Sequence, residues 1–279
     1  MTTDAQSRAS FGGRWTYGVL ALALLFVLMP FLFWNATWFG RPLTDEQLAK
    51  ALADRSHPRE IQHALAQIEA HIERRDPAAR RWYPQVVALA SDPVGEIRLT
   101  DAWVMGQDTS SPEFHAALVQ LLDDPQPMVQ RNAALSLVRF HDDSGHAQIV
   151  AMLRPYQMLA PFAGSIEIRL KPGDVVNIGT LVAHLTSEGQ RREVRAVVPG
   201  TLSRWLVAND SQVAAAQPIA SLDPSESAVW EALRALYLVG RPEDLADVER
   251  FARGVDAMSP QVTQQAQATS QAIRARSHS

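Results

Sequence analysis

Eight histidines, two lysines and no cysteine bound the chemistry open to this 279-residue chain. Without cysteine there is no thiolate nucleophile, disulfide, iron–sulfur cluster or cysteine-ligated zinc. The histidines are His57, His63, His71, His115, His141, His146, His184 and His278, and they are scattered. The densest group is His141-Asp142-Asp143-x-x-His146. It offers two imidazoles and two carboxylates to a divalent ion, but it lacks the HExxH spacing that sets two imidazoles on one helix face. Ordinary loop polarity is the competing reading and the one adopted. Ser165, Ser187 and Ser203 lie outside any GxSxG elbow. Phosphate-cradling GxGxxG and Walker A loops are absent from the sequence. The expectation is therefore a chain that is not an enzyme, with no cofactor and no metal. Binding is the better prospect. In Arg191-Arg192-Glu193-Val194-Arg195, Arg191, Arg192 and Arg195 surround a turn and can grip carboxylates or lipid phosphates, or simply solvate a hairpin. Trp205 lies on a strand, as a protein contact or as core. These four are the candidate protein-binding residues. With 26 Lys+Arg against 30 Asp+Glu the formal charge is -4, so no excess of positive charge is available to neutralise a nucleic-acid backbone.

The elements that must hold these residues begin with an apolar segment. Trp15–Gly40 carries no formal charge, longer than the ~20 apolar residues needed to cross a bilayer. Trp15 and Tyr17 at one end and Phe33, Trp34, Trp38 and Phe39 at the other suit the headgroup level, and Pro30 can kink the helix. The run exceeds a signal-peptide core and no small-x-small site follows it closely. A retained transmembrane anchor is expected over 15–40, after a cytoplasmic tail 1–14. Arg8 and Arg14 precede the span, whereas Arg41 and Lys50 follow it together with Asp45 and Glu46, a slight bias toward a cytoplasmic N-terminus. The arginine-rich, lysine-poor, alanine-rich composition is that of a bacterial exported domain. The localisation expected is the bacterial inner membrane, single-pass, with the C-terminal domains periplasmic.

From 41 to 158 the pattern is amphipathic helix, broken by Asp, Pro, Gly or Ser. In Leu121–Phe140, Asp124-Pro125 ends one helix, and Val129, Ala133, Ala134 and Leu137 line the inner face of the next. A shift of 32 positions gives Asp92-Pro93 followed by Ile97, Ala102 and Met105, and a fainter copy places Ile61 and Ala66 further upstream. This resembles a HEAT repeat array, with Arg98 at its basic position and Gln130 departing from it. Such repeats bury their apolar faces only by stacking on neighbours.

After Ala160 short strands replace helices, with turns at Pro172-Gly173-Asp174 and Ile178-Gly179. Arg192–Leu222 repeats the plan of Phe162–Leu185. Gly164 matches Gly200, Leu170 matches Leu206 and Asp174 matches Asp210; with one residue inserted, Val176 then meets Val213 and Leu185 meets Leu222. Two such halves resemble the barrel-sandwich hybrid of biotinyl and lipoyl domains and of periplasmic adaptor (membrane fusion) proteins, here over 159–224. From 225 to 279 helical signals return, with a Val229/Leu233/Leu236 stripe and then Val262 and Ala266, read as further HEAT-like helices.

The lipoyl resemblance implies a carrier lysine on the turn joining the halves. That turn is Ser187–Glu193, where Gln190, Arg191 and Arg192 stand instead and Lys171 lies at the wrong turn. A protonated guanidinium is no acylation nucleophile, so carrier function is not expected. The adaptor resemblance implies a long coiled-coil hairpin between the halves, for which there is no room. The expected fold class is thus α+β multidomain: one N-terminal transmembrane helix, a HEAT-like α-solenoid, and a lipoyl-like domain inserted before C-terminal HEAT-like helices. The expected function is a non-catalytic, membrane-anchored periplasmic scaffold or accessory subunit of an integral membrane protein complex, of respiratory type, with an atypical periplasmic adaptor as the alternative.

Overall fold

Several helical segments begin at a short polar side chain, Thr44, Asp76, Ser111 or Ser225, that accepts from a first-turn main-chain N–H. The computed structural model describes residues 12–36, 42–256 and 258–277. Its contacts divide into two units, residues 1–67 and 68–279.

In the first unit, α1 (Gly12–Ala36) contains Pro30, and Tyr17, Val19, Leu20 and the large side chains from Leu22 to Leu32 stand exposed. The expected membrane anchor is corrected here: among the described residues no helix is long and apolar enough to cross a membrane. Arg8, Trp38, Phe39 and Arg41, which entered the argument for the span and its orientation, lie outside the described residues, as does His278. Helix α2 (Asp45–Ala53) starts at a reciprocal capping box between Thr44 and Gln47, which satisfies two otherwise orphaned donors. Helix α3 (Pro58–Glu73) buries Ile61, Ala64 and Leu65. Ala66, expected on the inner face, is exposed. Gln67 closes the unit by accepting from Leu43 N at 2.7 Å and donating to Leu43 O at 2.9 Å.

In the second unit a 3-10 turn (Pro77–Trp82) leads into α4 (Tyr83–Leu89), α5 (Gly95–Met105), α6 (Pro112–Leu121), α7 (Pro127–Arg139) and α8 (His146–Ala151). An aspartate folds each junction. Asp76, Asp92, Asp108, Asp124 and Asp142 accept from the main-chain N–H two residues on, at 2.7–2.9 Å, the Asx turn that this side chain favours. Four of these carboxylates also receive a donor from an earlier helix: His71 Nδ1 to Asp76 at 2.8 Å, Tyr83 Oη to Asp108 at 2.6 Å, Arg98 Nε and Nη2 to Asp124 at 2.5 and 2.9 Å, and His115 Nε2 to Asp142 at 2.6 Å. Helices α5 and α7 stack through Asn132 Nδ2 to Leu99 O at 3.0 Å and Ser136 Oγ to Ala102 O at 2.9 Å. Ile97, Ala102, Met105, Val129, Ala133, Ala134 and Leu137 are wholly buried.

The strands are β1 (Tyr156–Leu159), β2 (Gly164–Ile168), β3 (Val175–Val176), β4 (Leu181–Ser187), β5 (Gln190–Arg195), β6 (Gly200–Trp205), β7 (Gln212–Val213) and β8 (Pro218–Pro224). They form two antiparallel four-stranded sheets, in the orders β1-β8-β6-β3 and β5-β4-β2-β7. Each half lends a short strand to the other: β3 pairs with β6, and β7 with β2. Equivalent loop bonds recur. Gly173 N donates to Leu202 O and Asp210 N to Ile166 O; Gly179 N donates to Ala196 O and Ala216 N to Ala160 O. All four residues have positive φ, at 95°, 61°, 82° and 60° for Gly173, Asp210, Gly179 and Ala216. Gly173 is thus the counterpart of Asp210, and the extra residue of the second half lies before this turn, not after Asp174 as the sequence alignment put it. Gly164 and Gly200 start equivalent strands. A Cβ on Gly164 would lie 2.6 Å from the Thr186 carbonyl oxygen, and one on Gly200 would meet that of Asp223 closer still.

Because β1 pairs with β8, the chain leaves the sheets beside its point of entry. Helix α9 (Glu226–Val239) then packs on α7 and α8, and α11 (Pro260–Ser277) packs on α9 and α10 (Leu245–Ala252). The sheet segment spans Tyr156 to Pro224, three residues earlier at its start than the expected 159. The class is α+β, helices plus two antiparallel sheets, with no membrane-spanning helix among the described residues.

Candidate functional site

The basic strand is arranged by the alternation of β5. Arg191, Glu193 and Arg195 share one face, while Val194, buried, belongs to the other. Arg191 Nη2 donates to Glu167 Oε2 at 2.6 Å and approaches His184 Nδ1 at 3.1 Å. Arg195 donates to Glu193 Oε2 through Nε at 2.9 Å and Nη2 at 2.6 Å, and to Gly179 O through Nη1 at 2.5 Å. Arg192 donates to Gln190 Oε1 at 2.9 Å and lies over the Phe162 ring at 5.2 Å. The three arginines are thus together on one edge strand and already engaged with the chain's own acceptors. Exposed pairs of this kind contribute little to stability, but they lower the positive potential available to a partner. Trp205 is part-buried against the sheet core, its Nε1 donating to Leu170 O at 3.0 Å.

The His141–His146 group is drawn apart. Asp142 is taken by His115, Asp143 Oδ2 accepts from Arg241 Nη2 at 2.6 Å, and His146 Nε2 meets Asp244 Oδ2 at 2.8 Å. Among the described residues no group of three or more His, Asp or Glu side chains could hold a metal ion. Burial pushes the Asp142 carboxyl up, but bonds from Ser144 and His115 outweigh it and hold the group below the usual range. Burial, then the bond to Asp108, pushes the Tyr83 phenol up. Where α7, β1 and α9 meet, burial lowers the Arg131 guanidinium against the attraction of Tyr156 and Glu231, and burial raises the Glu231 carboxyl.

A feature not anticipated from the sequence lies beside Arg195. A cleft of about 600 Å³ opens between β1 and the end of β5 on one side and α5 with the loop before α7 on the other. Met128, Met158 and Pro161 line it, and Leu159, Ile178 and Val197 on its lip are 49, 53 and 45 % exposed. Its charged residues are Glu96, Glu193 and Arg195. The only sequence signal was the run of apolar residues beside turns, such as Ile178 before Gly179, where the turn itself absorbed the reading.

Comparison with known proteins assigns none of this: no protein-family model matches the chain, and no curated protein matches it significantly.

Proposed function

We propose that the chain is a non-catalytic scaffold or accessory subunit of an integral membrane protein complex, working on the periplasmic side of a bacterial inner membrane. One observation carries the scaffold reading. The side chains best suited to chemistry are bound into junctions between elements: His115 with Asp142, His146 with Asp244, Tyr83 with Asp108 and Arg98 with Asp124. Their shared work is to hold stacked helices in register. Recurring junctions support the repeat-array resemblance, and the exchange of β3 and β7 between halves supports the lipoyl-like one. Arrays of this kind present extended surfaces to other proteins.

Two further features support the setting. The apolar side chains that α1 exposes are more than isolated soluble chains usually leave uncovered, which favours a partner assembly with apolar surface of its own. The compartment rests on composition, with no cysteine and very few lysines. Affinity purification of the tagged full-length chain from mild-detergent extracts, with mass spectrometry of what accompanies it, tests the proposal. Membrane-complex subunits at near-equal stoichiometry are expected. A chain that emerges alone, or a purified chain with catalytic turnover, would refute it.

A further inference from the structure

We propose that the cleft between β1, the end of β5, α5 and the loop before α7 binds an extended apolar peptide segment of a partner protein, with a basic residue of that segment set against Glu96. The proposal deepens the scaffold reading and rests on it. Three observations converge. First, the walls are apolar and the lip exposes Leu159, Ile178 and Val197 together, a contiguous patch of the kind that marks interaction sites. Second, β1 and β5 each stand at the end of a sheet order. Edge strands offer main-chain donors and acceptors to an added extended chain, with pockets for alternate side chains supplying selectivity. A cleft of about 600 Å³ accommodates a short run of such side chains.

Third, the charges are complementary to a cation. Arg195 is saturated by Glu193 and the Gly179 carbonyl, and Arg98, whose charge acts on Glu96, is itself clamped by Asp124. The exposed Glu96 carboxylate is left as the net charge of the rim. Arg195 therefore offers no net charge to an acidic partner at this cleft, which among the described residues presents apolar walls and one free carboxylate instead.

The test is a selection of randomised seven-residue displayed peptides on the purified full-length chain, followed by anisotropy titration of the enriched sequences. Apolar peptides carrying Lys or Arg are expected. Ile178→Glu and Val197→Glu should weaken their binding at least tenfold, and Glu96→Lys should weaken the basic ones selectively. All three positions are exposed, so melting curves should coincide with the parent and exclude misfolding. Peptides indifferent to these substitutions, acidic peptides, or no enrichment would overturn the assignment. So would saturable binding of a dansylated fatty acid without peptide enrichment, which would make the cleft a small-ligand site. The two readings fail separately. A partner that still co-purifies with Val197→Glu leaves the scaffold standing and removes the cleft, whereas a parent chain that purifies alone removes the scaffold even if peptides are selected.

Discussion

Replacing Arg98 by alanine should destabilise the second unit more than any other single change to a surface-reaching side chain. The Arg98 and Asp124 side chains are 10 and 4 % exposed. The guanidinium meets Asp124 through two parallel bonds of 2.5 and 2.9 Å and donates a third to Asp92 O at 2.7 Å. Truncation leaves a carboxylate buried without its counter-charge, which costs about 3–5 kcal/mol. For a chain of this size each kcal/mol lowers Tm by roughly 2–4 °C, giving a fall of about 6–20 °C. Urea unfolding followed by far-UV circular dichroism reads the loss directly. Asp124→Asn keeps an acceptor for Gln126 N while removing the charge, so Arg98→Met combined with Asp124→Asn should cost less than the sum of the two single changes. As a control, Arg169→Ala breaks a pair that is 50 and 42 % exposed and should cost under ~1 kcal/mol. An Arg98→Ala loss no larger than the control, or strict additivity in the double variant, would refute the idea that this pair is a desolvated clamp between α5 and the turn before α7.

The two halves of the sheet domain should respond alike to Gly164→Ala and Gly200→Ala, each forcing a methyl group onto a carbonyl oxygen. Both should lower Tm, and a neutral outcome at either would break the equivalence. Ala216 sits at φ 60° where its counterpart is Gly179; Ala216→Gly should raise stability by roughly 0.5–1 kcal/mol, since relief of the left-handed penalty of ~1–2 exceeds the entropy cost of glycine, and thermal melting decides. Acid should loosen the helix junctions. Bonds from the Ser56 hydroxyl and main chain, then His57, pull Asp54 from 3.8 to about 2, and the Ala78 N–H and then His71 lower Asp76. Folded values below unfolded ones mean that this stability is present above about pH 4 and lost as pH falls through the folded values. Carboxyl titration by NMR should show Asp54 still ionised near pH 3; an ordinary midpoint close to 4 would contradict the junction geometry.

The junctions and strand turns were legible because they rest on short-range chemistry. Asp124-Pro125 and Asp92-Pro93 end helices through bonds reaching only two residues on. The stripe Val129, Ala133, Ala134, Leu137 is buried because helical spacing puts those side chains on one face. The fainter copy misled, since Ala66 and Ala64 differ by half a turn and apolar content alone does not choose between them. The extra residue of the second half was misplaced for a related reason: Asp174 resembles Asp210 in type, but positive φ and main-chain bonding make Gly173 its counterpart.

Long-range proximity was beyond the sequence. Local spacing set His141, Asp142, Asp143 and His146 side by side as a weak ligand group, yet Asp142, Asp143 and His146 each pair with a residue distant in sequence, Arg241 and Asp244 lying 98 positions from Asp143 and His146. Runs of like charge on β5 read as a basic surface, whereas the sheet set Glu167 beside Arg191 across two strands. The apolar cleft has no sequence signature, because β1, Ile178, Val197 and the loop before α7 become neighbours only when the sheets fold back beside the helices. By itself the sequence determined the repeating aspartate junctions, the doubled strand pattern and the limits on chemistry, since these follow from residue type and nearest-neighbour geometry. Only the tertiary structure decided which charges are already spoken for and where apolar surface is left open, because both depend on what packs against what across long stretches of chain.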